Sequence, residues 1–150
     1  MINLSVDTRN LSSSSDKKHL EIVLSEMICL AEYEFELSVE EIGGPLSFWV
    51  PTPDDEVEEL ELFGIIELGD ELDPFHKIIH LTHEVGHAIY RMDPLFRNTK
   101  ETMFYESLAW YLGYHFMAEH GYIIEMEEYE EEMKHALKLY RWSENARDVE

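Results

Sequence analysis

An α+β fold, with a short sheet packed beside one histidine-bearing helix, is what this chain predicts. Three observations carry the expectation. Apolar residues recur at helical spacing from Leu20 to Phe35. Two short apolar runs, "LSFWV" and "LELFGIIEL", read as strands. The stretch "FHKIIHLTHEVGHAIYRMDP", residues 75 to 94, holds four of the eight histidines. His76, His80, His83 and His87 are spaced by four, three and four residues, so at about 100° per residue they fall within roughly 60° of arc, one stripe on one helix.

The elements follow in order. "NLSSSSDKKH" is a small polar loop in which Ser15 or Asp16 can cap a helix. Leu20, Val23, Leu24, Met27, Leu30, Ala31 and Phe35 then form the packed stripe of a first helix, broken by "EIGGPL". "LSFWV" is a strand closed by "PTP", and the acidic run "DDEVEELE" is a solvated loop or turn. In "LELFGIIEL", Gly64 marks a bulge or a close backbone approach. Asp73 as N-cap and Pro74 at the first helical position open the histidine helix, and Pro94 stops it. A helix from about Lys100 to His120 ends at Gly121. A last helix, about Glu125 to Trp142, carries the stripe Met126, Tyr129, Met133, Ala136, Leu137 and Tyr140, read as core packing. Its acidic first turns suit the helix dipole.

The length of 150 residues fits one domain spanning 1–150, with no internal repeat. The net charge of −22 argues against direct nucleic-acid binding and against anionic membrane surfaces, where phosphates demand Lys and Arg. It permits a basic partner, or simply high solubility. A single cysteine, Cys29, suits a reducing compartment. With no signal pattern at the start and no run of about 18 apolar residues, the expectation is a cytoplasmic protein with no membrane span.

Within the stripe lies "HEVGH": His83, Glu84, Val85, Gly86, His87. Two histidines four apart stand about 6 Å apart along the axis with rings on one side, which suits two nitrogens converging on one Zn²⁺ at about 2.0–2.1 Å. Glu84 lies about 100° round from His83, where a carboxylate reaches an attacking water rather than the metal and can take its proton. In a chain this rich in His and Glu, the pattern arises by chance about 7 times in 100, so its mid-helix setting after a strand adds to it. The competing reading is a partly buried histidine face with satisfied hydrogen bonds. His76 and His80 repeat the spacing and are a rival metal pair, but Lys77 stands where the base would be and its cation opposes a nearby Zn²⁺, so both are read as polar side chains, with a supporting or substrate-facing role for His80 as the alternative.

A catalytic zinc site keeps three protein ligands and an open position. Asp93, six residues after His87, would need the chain to turn back sharply through a glycine where Tyr90 stands. Glu101 and Glu106 lie about 140° apart on their helix, so both cannot face one metal. Glu101 sits near a helix start, where an acid is welcome without any metal. Glu106 shares a face with Ala109 and Gly113, small residues that let its helix approach the histidine helix near Gly86. The expected metal set is His83, His87 and Glu106, with Glu84 as the catalytic base.

At these residues the chain resembles a minimal gluzincin-type zinc metallopeptidase, most similar to the ImmA/IrrE-type family. The likeness covers about Leu60 to Tyr122: "LFGIIEL", "IIHLTHEVGHAIY" and "ESLAW". It implies a zincin-like domain, Zn²⁺ held by His83, His87 and Glu106, Glu84 as general base, and hydrolysis of a peptide bond in a protein substrate, such as a transcriptional repressor. Many members carry a neighbouring helix-turn-helix domain, for which this chain has no room. Tyr90, Tyr105, Tyr114 and His115 are candidates for stabilising the oxyanion. The rival expectation is an acidic binding or inhibitor protein, a nucleic-acid mimic or a blocker of a basic partner, with a structural or vestigial zinc site. Glu84 discriminates between them, because a structural site has no use for a base beside its first histidine.

Overall fold

A computed structural model of the chain describes residues 8–45, 47–52, 64–90 and 99–148. Among these the protein is α+β, with four helices and two small sheets. Strand β1 (Arg9–Leu11) leads into α1 (Lys17–Phe35), capped by the Asp16 carboxylate, which accepts from the Lys18 and His19 amides at 2.8 and 3.3 Å. The helix ends at Glu36, whose left-handed backbone (φ 50°) turns the chain directly into β2 (Leu37–Ile42). The expected break at "EIGGPL" therefore falls one strand later than the helix end. β3 (Phe48–Pro51) and β4 (Gly64–Gly69) complete a sheet of order β2-β4-β3, with β2 parallel and β3 antiparallel to the central strand.

Gly64 is a close approach and not a bulge. It pairs in regular register with Leu37 and Pro51, and a Cβ there would sit 2.1 Å from the Trp49 ring. The acidic run 54–61 and the first part of the expected strand at 60–63 lie outside the described residues.

Helix α2 (Pro74–Tyr90) carries the histidine stripe. Asp73 caps it by accepting from the His76 amide at 2.9 Å. The face away from the stripe is apolar and buried, with Phe75, Ile78, Ile79, Leu81 and Val85 in the core. These side chains meet α1, β4 and β3. The expected stop at Pro94 lies outside the described residues. Helix α3 (Thr99–Glu119) closes on Gly121 at φ 89°, as glycine allows. β5 (Tyr122–Ile124) then pairs in parallel with β1, a second sheet of two strands.

Helix α4 (Met126–Asp148) runs beyond Trp142. Its stripe is buried at Tyr129 and Met133, and Ala136 and Leu137 pack against the core, but Met126 is exposed in the first turn. The side chain of Tyr140 lies outside the described residues. Among the described residues, no helix is long and apolar enough to cross a membrane.

Candidate metal centre

Two helices build the centre, and the smallness of three residues sets how close they come. A Cβ on Gly86 of α2 would lie 1.7 Å from the Ala109 carbonyl oxygen of α3. A Cβ on Gly113 would lie 1.9 Å from the Thr82 carbonyl oxygen. Backbone therefore rests on backbone at two levels, as the sequence predicts for Ala109, Gly113 and Gly86. Glu106, Ala109, Trp110 and Gly113 share one face of α3 at helical spacing, so the contact that brings the helices together also aims Glu106 at the stripe.

His83 Nε2 lies 2.9 Å from Glu106 Oε2, and His87 Nε2 lies 3.1 Å from Glu106 Oε1. The two Nε2 atoms are 3.1 Å apart. The ring of His83 is stacked on Trp110, with centroids 4.3 Å apart and planes 12° from parallel. Glu84 comes to the other side of His83, its Oε1 3.4 Å from Nδ1. Nitrogens of both histidines and an oxygen of Glu84 also fall within 4.8 Å of one another. Glu106 is nonetheless the carboxylate that spans both Nε2 atoms.

With Glu106 ionised, hydrogen bonds satisfy this triangle poorly. If both Nε2–H groups donate to Glu106, they confront each other donor to donor across 3.1 Å. If one nitrogen accepts from the other, its lone pair then faces a carboxylate that has only lone pairs to offer. One cation among the three would relieve the conflict. Ligands at about 2.0–2.1 Å in a tetrahedron around zinc stand about 3.3 Å from one another, close to the spacings seen here.

The electrostatics agree with that donor set. Burial pushes the Glu106 carboxyl up, but its hydrogen bonds to His83 and His87 outweigh this and hold it well below the usual range, ionised. Burial lowers His83. For His87 burial acts downward too, but the Glu106 hydrogen bond and the charges of Glu84 and Glu106 raise it. The two rings titrate as a coupled pair around one carboxylate. Glu84 is buried, and burial, aided by the charge of Glu106 and opposed by that of His87, pushes it up to about 8. Apart from metal, this carboxyl can hold or release a proton near neutral pH.

The other sequence candidates fall elsewhere. Asp93 and the side chains of Tyr90 and Glu101 lie outside the described residues. Tyr114 donates to the Ile124 carbonyl at 3.3 Å and packs on Tyr129, while His115 and Tyr105 are exposed. Lys77 turns to Glu41 on β2, Nζ to Oε1 2.8 Å, and His80 Nδ1 meets Ser47 Oγ at 3.1 Å. The part played by Trp110 escaped sequence reading. Its signal is the four-residue step from Glu106, which puts an indole on the face that meets His83. The chain matches no family model, no curated protein and no solved structure in the comparisons made with each.

Proposed function

We propose that the chain is a zinc-dependent metallopeptidase that cleaves a peptide bond in a protein substrate, its metal held by His83, His87 and Glu106. The observation that carries the reading is the placement of two carboxylates around one histidine pair. Glu106 faces both Nε2 atoms, and the buried Glu84 stands at Nδ1 of His83, 3.4 Å away. A purely structural site needs the first carboxylate and gains nothing from burying the second.

Zinc bound there would act as a Lewis acid toward the scissile carbonyl and make an attacking water more acidic. Glu84 would take the proton from that water and pass it to the leaving amine. Trp110 fixes the plane of His83 so that Nε2 stays aimed at the shared point. The charge of −22 favours substrates with Lys or Arg near the cut, among them basic regulatory proteins such as a repressor.

The test is Glu84→Gln, which keeps size and shape but removes basicity. Zinc content and thermal stability should barely change, while peptidase activity falls by about 10²–10⁴. Wild type and variant are incubated with candidate basic proteins, and zinc-dependent fragments are sought by mass spectrometry. If neither form cuts and both bind a basic partner equally, the acidic-binder reading replaces this one.

A further inference from the structure

The sequence leaves His80 between a plain polar part and a substrate-facing one, and the structure ties its ring to the sheet. At the end of β4 the Gly69 amide donates to Ser47 Oγ at 3.1 Å, and the same oxygen meets His80 Nδ1 at 3.1 Å. The amide occupies one lone pair of the hydroxyl, whose single proton has no other acceptor among the described residues. Donating that proton to Nδ1 satisfies both groups and fixes the tautomer, with the ring hydrogen on Nε2. Burial, aided by the charge of His83, takes the ring down to about 4, so it is neutral at physiological pH.

The Nε2–H group has no acceptor of its own among the described residues. Glu132, whose charge the ring feels, already gives Oε1 to His76 at 3.3 Å. A half-buried donor, fixed in its tautomer and left open, therefore stands on the stripe one turn before His83.

We propose that His80 is a substrate-binding residue, its Nε2–H donating to a backbone carbonyl of the bound polypeptide two residues from the scissile one, with Ser47 positioning the ring. This rests on the peptidase reading and adds to it a contact one turn away from the metal centre.

Helix geometry sets the spacing. The level midway between His83 and His87 lies five residues past His80, about 7.5 Å along the axis. In an extended peptide, carbonyls on the same side recur every second residue, about 6.5–7 Å apart. A substrate strand lying along α2, with its scissile carbonyl at the level of the histidine pair, therefore brings a second carbonyl over His80. The carbonyl between them points the opposite way. Such a contact reads backbone and no side chain, so it serves any extended polypeptide and leaves sequence preference to the acidic surface.

The test has two arms, both on the full chain. Imidazole nitrogen NMR of the metal-free protein should show the His80 proton on Nε2, and Ser47→Ala should remove that preference. A proton on Nδ1 in wild type overturns the proposal. In the second arm, zinc-loaded wild type, His80→Leu and His80→Gln are titrated with acetohydroxamate and with peptide hydroxamates of one to three residues. One series carries the hydroxamate at the C-terminus, the other on an N-terminal succinyl group. In one series, wild-type affinity should step up by about three- to tenfold, the net worth of one hydrogen bond, when the carbonyl two residues away is added. His80→Leu should lose the step, and His80→Gln, which keeps an N–H, should recover part of it. Acetohydroxamate should bind all three alike, which certifies the fold and the metal. The absence of a step in both series, or a step that survives in His80→Leu, overturns the proposal and spares the metal centre. Failure of acetohydroxamate to bind the zinc-loaded wild type sinks the peptidase reading, and this one with it.

Discussion

Gly86→Ala tests the packing that makes the centre. The added methyl would lie 1.7 Å from the Ala109 carbonyl oxygen, half the 3.4 Å at which ordinary contact begins. The obstructing atom is backbone, so no rotamer change relieves the clash. Only separation of α2 from α3, by on the order of 1–2 Å, can do so. Overpacking of this kind costs about 1–3 kcal/mol. For a chain of this length that is a fall in melting temperature of roughly 2–12 °C. The same separation draws Glu106 away from both Nε2 atoms, now 2.9 and 3.1 Å distant. Zinc affinity should fall by about 10–100-fold, the range seen when groups that place metal ligands are disturbed. Thermal unfolding of the metal-free protein reads the first effect, and competition with a chromophoric chelator reads the second. Gly43→Ala is the control, because a Cβ there meets nothing within 4 Å. If Gly86→Ala melts like wild type and holds zinc as tightly, the helices are not in backbone contact and the account of how Glu106 reaches the histidines is wrong.

Two further outcomes are expected. Glu106→Ala should lose most of the metal, whereas Asp93→Ala and Glu101→Ala should keep it; metal analysis showing the reverse pattern would move the third ligand to the segment after His87. In metal-free protein, His76 and His80 should titrate on opposite sides of the ordinary value of 6.5, a difference that imidazole NMR resolves. For His76 burial acts downward, but the Asp73 and Glu132 carboxylates raise it, while burial takes His80 down to about 4. The signs for stability follow: the His76 contribution is fully present below 6.5 and is lost as pH rises through its higher folded value. His80 acts oppositely, costing stability as pH falls from 6.5 toward about 4, because the unfolded chain takes the proton first. Rings that titrate together near 6.5 would contradict the carboxylate contacts of His76 and the burial of His80.

The parts of the fold legible in the sequence are those written in local chemistry. Asp73 and Pro74 announce the start of α2, Gly121 ends α3, and the spacing of Leu20, Val23, Leu24 and Met27 declares α1. The approach of Glu106 was legible for the same reason, since Gly86, Ala109 and Gly113 are small at the right intervals. Three strands were not. β2, "LSVEEI", follows its helix with no Gly or Pro between, the turn being made by a left-handed Glu36, and its two glutamates weaken the strand pattern. β1 and β5 have three residues each and exist because they find one another. Glu132 was likewise invisible as a partner of His76, because only the packing of α4 brings position 132 near position 76. At Gly64 the sequence left a bulge and a close approach equally open, and the Trp49 ring decides between them.

The ladder of β1 on β5 bears on the order in which the molecule assembles. Arg9 and Tyr122 are 113 positions apart, and the ladder is bounded by two backbone bonds of 2.7 Å, Arg9 to Gly121 and Glu125 to Leu11. Closing so long a loop costs on the order of 4 kcal/mol of chain entropy, more than three paired residues return by themselves. The ladder therefore zips late, after α1, α2 and α3 have met, and is among the first parts to open. β5 is also the hinge between the helix that carries Glu106 and the helix that carries Glu132. When β1 peels away, β5 loses its only partner strand among the described residues, while the seam at Gly86 and Gly113 stays shut. Amide exchange should then be fast at Asn10 and Ile123 and slow at Val85 and Ala109, so that the two-stranded ladder breathes on a timescale the helix seam does not share.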